Sequence, residues 1–189
     1  MKIDDLIDFV KNAFAETDKA HDFQHSLRVY ENAINIMNDY DGINEEIVIL
    51  SALLHDVEDE KLFSGKGLLD QWFLDNPSEY ESDIRQVISE VSFSKGMQAS
   101  TIESMIVQDA DRLDAIGAIG IARVFTYGGS IGRPIYSEVQ PSSKSHFNEK
   151  LFKIVDLMNT ERGKMIAKKR NEFMYLFIEM MDEEVNGKR

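Results

Sequence analysis

The run Ile47-Val-Ile-Leu-Ser-Ala-Leu-Leu54, which ends in His55-Asp56, constrains the fold more than any other stretch of this chain. Its apolar residues surround a helix on every side, and a helix without a polar face belongs at the centre of a domain. Asp41-Gly42 reads as a turn and Asn44 as an N-cap, so the central helix is predicted from Glu45 to about Val57. The neighbouring segments carry one-sided helical patterns that can pack around it. Ile3, Leu6, Ile7, Val10 and Phe14 predict a first helix. A second is predicted from about His21 to Asp39, with Leu27, Tyr30, Ile34 and Met37 on one face. Ser78 with Glu81, and Ser100 with Glu103, have capping-box spacing. They predict a helix through Val91 and another through Asp109, Asp111 and Asp114. The glycines at 128, 129 and 132, with Arg133-Pro134, predict an irregular, flexible lid, followed by helices from about Ser145 to Met158 and Thr160 to Glu184. No run alternates long enough to demand a strand. The expected fold is all-α.

Charge and composition narrow the partners. Thirty-four acids against 21 bases give a net charge of -13, which repels nucleic-acid polymers and anionic membranes. A small anionic substrate remains compatible if a metal and a local basic pocket override that field. The chain has no cysteine, which removes disulfides, thiolate zinc sites and a cysteine nucleophile. The acidic start and the lack of a long apolar run point to a cytoplasmic protein with no membrane span. At 189 residues a single domain is sufficient, as a monomer or a homodimer.

The chemistry concentrates in a few residues. Of four histidines, His21, His25 and His55 fall in the first third, each next to or near a carboxylate. The order His25, His55-Asp56, then an aspartate in Gln-Asp-Ala-Asp-Arg-Leu-Asp supplies imidazole nitrogen and carboxylate oxygen, the mixture a divalent transition metal takes. Adjacent helical residues diverge by ~100°, so His55 and Asp56 reach one ion only if it wedges between helices. On a helical wheel Asp109 and Asp111 both fall among apolar or small residues, and spacing alone does not choose between them. Arg133 and the stripe His146, Lys150 and Lys153 are candidate phosphate contacts, together with Arg28 and Lys61.

Three strings, His21-Asp-Phe-Gln-His25-Ser-Leu-Arg28-Val, Ala52-Leu-Leu-His55-Asp56 and Asp109-Ala-Asp111-Arg-Leu-Asp114, resemble the motifs of the HD-domain superfamily of metal-dependent phosphohydrolases. The motif-bearing core covers about 18–125. The part from about 126 to 189 is similar to the C-terminal helices of small stand-alone bacterial HD hydrolases. The resemblance implies a helical bundle with additional C-terminal helices, forming one HD-type domain over 1–189. It selects Asp111, with His25, His55 and Asp56, as the metal set and gives Asp109 a supporting place. It implies one divalent metal, Mn²⁺ favoured, with Fe²⁺, Co²⁺, Ni²⁺ and Mg²⁺ as alternatives. It also points to an acid four residues after His55, here Asp59, as an aid to the attacking water, with Glu58 beside it as a second catalytic candidate. The implied activity is hydrolysis of (deoxy)nucleoside triphosphates to monophosphate and pyrophosphate. The alternatives are a 5′-nucleotidase and a non-catalytic, metal-stabilised sensing module.

Overall fold

The computed structural model describes residues 3–14, 23–58, 67–91 and 97–188. Every regular element among them is helical: α1 (Ile3–Ala13), α2 (Phe23–Met37), α3 (Glu45–Leu54), α4 (Leu68–Asp75), α5 (Glu81–Val91), α6 (Ile102–Asp114), α7 (Gly117–Ser130), α8 (Ser145–Glu149) and α9 (Glu161–Val185), with a 3-10 helix at Leu151–Leu157. None of the described helices is long and apolar enough to cross a membrane. The chain divides into two compact units, Met1–Asp111 and Arg112–Arg189.

In the first unit α3 takes the central position, packed against α1, α2 and α5. Val48, Ala52, Leu53 and Leu54 are fully buried; a leucine so placed contributes about 2 kcal/mol of apolar burial. Asn44 caps the helix as expected, its Oδ1 accepting from the Glu46 and Ile47 amides at 3.1 and 3.3 Å. The helix ends at Leu54 rather than near Val57. Residues 55–58 form a turn, with the Val57 amide bonded to the Leu54 carbonyl at 3.0 Å.

Several expectations are corrected. The buried face of α2 is His25, Ser26, Val29, Ala33, Ile36 and Met37; of the predicted apolar face only Met37 is buried, and Leu27, Tyr30 and Ile34 are intermediate. No expected element corresponds to α4, an eight-residue helix whose N-cap is Gly67, without a capping side chain, and whose buried residues are Leu69, Trp72 and Phe73. The cap of α6 is Thr101, whose hydroxyl accepts from the Ser104 amide at 3.1 Å, in place of Ser100. Ser100 instead donates to Glu90, a buried carboxylate that also receives Ser104 Oγ and the Ser100 amide. Burial pushes the Glu90 carboxyl up, but those hydrogen bonds together hold it below the usual glutamate value.

In the second unit α7 packs against α9, and Phe125, Phe147 and Phe177 form an aromatic cluster with ring centroids 5.9 to 6.2 Å apart. Gly117, at φ +79°, opens α7 under the side chain of Arg170. Arg170 donates to the Leu113 carbonyl, and the buried Asp114 pairs with Arg123. Burial lowers the pKa of Arg170 against the opposing effect of Asp114. Gly128 and Gly129 belong to α7, so they do not start a lid. A Cβ at Gly128 would meet Ser143 Oγ at 2.2 Å, a packing reason for glycine there. The helix expected from about Ser145 to Met158 breaks at Lys150, where φ is -133° and ψ -54°, and continues as the 3-10 helix. Thr160 caps α9, accepting from the Gly163 amide at 2.9 Å.

Candidate metal centre

His25, in the first turn of α2, and His55, just beyond α3, are both buried, at 6% and 9% exposure. Their rings meet edge to face with centroids 5.3 Å apart. Asp56 projects from the turn that carries His55, and Asp111 from α6. Asp56 reaches both imidazoles: Oδ2 is 3.4 Å from His25 Nε2, and Oδ1 is 3.4 Å from His55 Nε2. Asp111 Oδ1 stands 3.4 Å from His25 Nε2 and 4.0 Å from His55 Nε2. One donor atom each from His25, His55 and Asp111 lies within 4.8 Å of the others.

The tautomer of His55 follows from its neighbour. Nδ1 lies 2.9 Å from the Ala52 carbonyl oxygen, which can only accept, so Nδ1 carries the proton. In the neutral ring Nε2 is then a bare lone pair. It is buried and has no hydrogen-bond partner among the described residues, yet it faces two carboxylates. A lone pair held against negative oxygens is repulsive unless a cation or a proton lies between them. Donors sharing one ion at ~2.1 Å stand roughly 3.0 to 3.4 Å apart in octahedral or tetrahedral coordination, close to most separations here. The donor set fits a divalent metal. An Nδ1–H bonded to a backbone carbonyl is also the arrangement that orients metal-binding histidines.

The supports come from backbone as much as from side chains. The side-chain amide of Asn32, on α2, donates to the Ala110 carbonyl at 3.2 Å and ties α2 to the turn of α6 just before Asp111. Neither Asn32 nor the Ala52 carbonyl has a signature in the sequence; only the Nδ1 requirement of a ligating histidine could have suggested an i−3 carbonyl. Asp109 is fully buried in α6, whereas the Asp111 side chain is 22% exposed.

The remaining candidates fall in different surroundings. His21, Asp59 and Lys61 lie outside the described residues. Glu58 is engaged: its Oε1 accepts from the amides of Gly67 and Leu69 at 2.8 and 3.0 Å. Arg28 sits on α2 one turn beyond His25, at intermediate exposure. In the second unit, Arg133 lies over the Tyr127 ring, 5.8 Å from its centroid. His146 remains beside Lys150 despite the break in the helix, with the Lys150 amide bonded to the His146 carbonyl at 3.0 Å. Burial first, then the positive charges of Lys150 and Arg133, lower the His146 pKa, against a smaller opposing effect of Glu149. Arg133, His146 and Lys150 thus form one electrostatic cluster.

The HD domain family matches residues 22–116 of this chain. YpgQ of Bacillus subtilis is 34% identical over 189 residues, covering 95% of this chain and 91% of that protein. Among solved structures, an HD-superfamily hydrolase from Bacillus thuringiensis is 39% identical, with a TM-score of 0.82 over 97% of this chain and 96% of its own. Bacillus subtilis YpgQ in complex with ADP superposes with a TM-score of 0.82 at 32% identity, over 96% of this chain and 94% of that one. The chain belongs to the HD domain family of metal-dependent phosphohydrolases, as its motifs imply.

Proposed function

We propose that this hydrolase cleaves (deoxy)nucleoside triphosphates to the monophosphate and pyrophosphate, at one divalent ion held by His25, His55, Asp56 and Asp111. The observation that carries the reading is His55 Nε2, a buried nitrogen that makes no hydrogen bond among the described residues and faces Asp56 and Asp111 beside a second imidazole. Two imidazoles with two carboxylates suit Mn²⁺ or a neighbouring transition metal better than Mg²⁺. Such an ion supplies Lewis acidity, drawing charge from a phosphoryl oxygen and making water a stronger acid.

The protein's own groups do the rest. Water adds to the α-phosphorus, the bond from that phosphorus to the pyrophosphate oxygen breaks, and Asp59 takes the proton. Arg28, Lys61, Arg133, His146 and Lys150 are proposed as phosphate contacts, the last three supported by the positive charges of Arg133 and Lys150 close beside His146. The ADP bound by YpgQ supports a nucleotide as the substrate class. A panel of nucleoside mono-, di- and triphosphates, assayed with each divalent metal and resolved by ion-exchange chromatography, tests the reading. Pyrophosphate from triphosphates is the expected product. Release of inorganic phosphate from monophosphates alone would make the chain a 5′-nucleotidase, and no turnover with any metal would return it to a sensing module.

A further inference from the structure

Glu58 follows His55 and Asp56 on the same turn, yet its carboxylate is directed at a different helix. Oε1 accepts the backbone N–H of Gly67 at 2.8 Å and of Leu69 at 3.0 Å. Gly67 is the N-cap of α4, sits at φ +107° and has no side chain with which to cap. The first amides of α4 therefore draw an acceptor from elsewhere in the chain. A carboxylate suits that place, because its charge meets the positive end of the helix dipole and strengthens both hydrogen bonds.

The far side of this clamp is firmly held. Leu69, Trp72 and Phe73 of α4 are buried, and Phe9 of α1 packs on Trp72 with centroids 4.9 Å apart. Arg85 of α5 pairs with Asp70 at 2.7 Å and lies over the Phe73 ring. The near side is the turn after Leu54, where α3 has already ended. There the backbone is held by the Val57 amide on the Leu54 carbonyl and by the buried Val57 side chain. Donor atoms that share an ion must be kept within roughly 0.5 Å of their working geometry by their surroundings. A second attachment of this turn meets that need.

We propose that Glu58 is a positioning residue of the metal centre, tying the turn that bears His55 and Asp56 to the N-terminus of α4. The proposal rests on the reading of those two residues as metal ligands, and it gives Glu58 a role other than proton transfer. Its test compares full-length wild type with Glu58→Ala, Glu58→Gln and Asp111→Ala. Mn²⁺ affinity is read by chelator competition, and exchange of the Gly67 and Leu69 amides by NMR. Glu58→Ala should speed exchange at both amides and weaken Mn²⁺ binding by about 10-fold, the scale of losing a support behind a ligand. Glu58→Gln retains an acceptor oxygen and should recover most of both. Asp111→Ala should lose the ion while both amides stay protected. Wild-type affinity in Glu58→Ala, while Asp111→Ala loses the ion, sinks the Glu58 proposal alone. Failure of wild type itself to take up Mn²⁺ defeats the metal reading and this proposal with it. A Glu58→Gln protein with metal and both amides intact, but turnover lowered by about 10²-fold, would assign the carboxylate to proton transfer and overturn the proposal.

Discussion

Asp111 Oδ1, near the end of α6, stands 3.4 Å from His25 Nε2, in the first turn of α2. Folding brings these residues together from distant parts of the chain, so an ion shared between them fastens two helices. Metal affinity and stability should then change together. Saturating Mn²⁺, at about 100 times its Kd, should add about 2.7 kcal/mol to the wild-type unfolding free energy. Asp111→Ala and His55→Ala should lose most of that gain, and Asp109→Asn should keep more of it despite its own cost in stability. Thermal melts with and without Mn²⁺, beside elemental analysis, check this. An Asp111→Ala protein that melts with the full Mn²⁺ increment counts against the assignment.

Asp59→Asn keeps size and most hydrogen bonding but removes the charge proposed to accept the proton. Its kcat should fall by about 10²-fold with metal content unchanged. Metal analysis and steady-state kinetics on one preparation decide it; an unaltered kcat removes Asp59 from the mechanism.

Arg133→Lys preserves charge and loses the planar guanidinium fork. If that fork grips phosphate, the triphosphate KM should rise or kcat fall by several-fold, with little change for a monophosphate and none in metal content. Equal, small effects of Arg133→Lys and Lys150→Ala on every substrate would return both residues to an ordinary solvated surface.

His146 has a folded pKa below its ordinary 6.5, through burial and the charges of Lys150 and Arg133. The unfolded chain therefore binds more protons just below that value. The stability contributed by neutral His146 is fully present above about 6.5 and is lost as pH falls through the depressed folded pKa. Urea midpoints between pH 7.5 and 5 should drop more steeply for wild type than for His146→Gln. Parallel profiles would contradict the burial of this imidazole. A bound phosphate tail would reverse the charge around His146, so triphosphate binding should take up a proton near pH 6, which calorimetry in buffers of different ionisation enthalpy detects.

Asp114 is 2% exposed and pairs with Arg123, with Arg170 close enough for its charge to respond. Asp114→Ala leaves the half-buried Arg123 and Arg170 guanidiniums without the carboxylate's charge and, discounted for their contact with solvent, should cost about 2 kcal/mol. Urea unfolding measures it, and a loss below about 1 kcal/mol would show that Arg170 finds other compensation.

The helices and the choice of donor types were legible in the chain because both are local properties. An apolar run on all sides of a helix places α3 at the centre without knowledge of its neighbours, and Asn44 and Thr160 act as caps where they stand. Histidines and aspartates name a metal site by donor chemistry alone. What depends on distant partners was decided by tertiary structure. Spacing leaves Asp109 and Asp111 level; the fold buries the first and turns the second towards His25 and His55. The inner face of α2 is chosen by what α3 presents to it, so His25 is buried while Leu27 stays partly exposed. The helix α4 is too short and too poorly capped to announce itself, since its cap is a carboxylate supplied from Glu58. The stripe through His146, Lys150 and Lys153 presumed one helix, and the change to 3-10 geometry at Lys150 alters which side chains align. Periodicity reports which face of a segment is apolar. Only packing decides which neighbour meets that face and which polar atom is left to hold an ion.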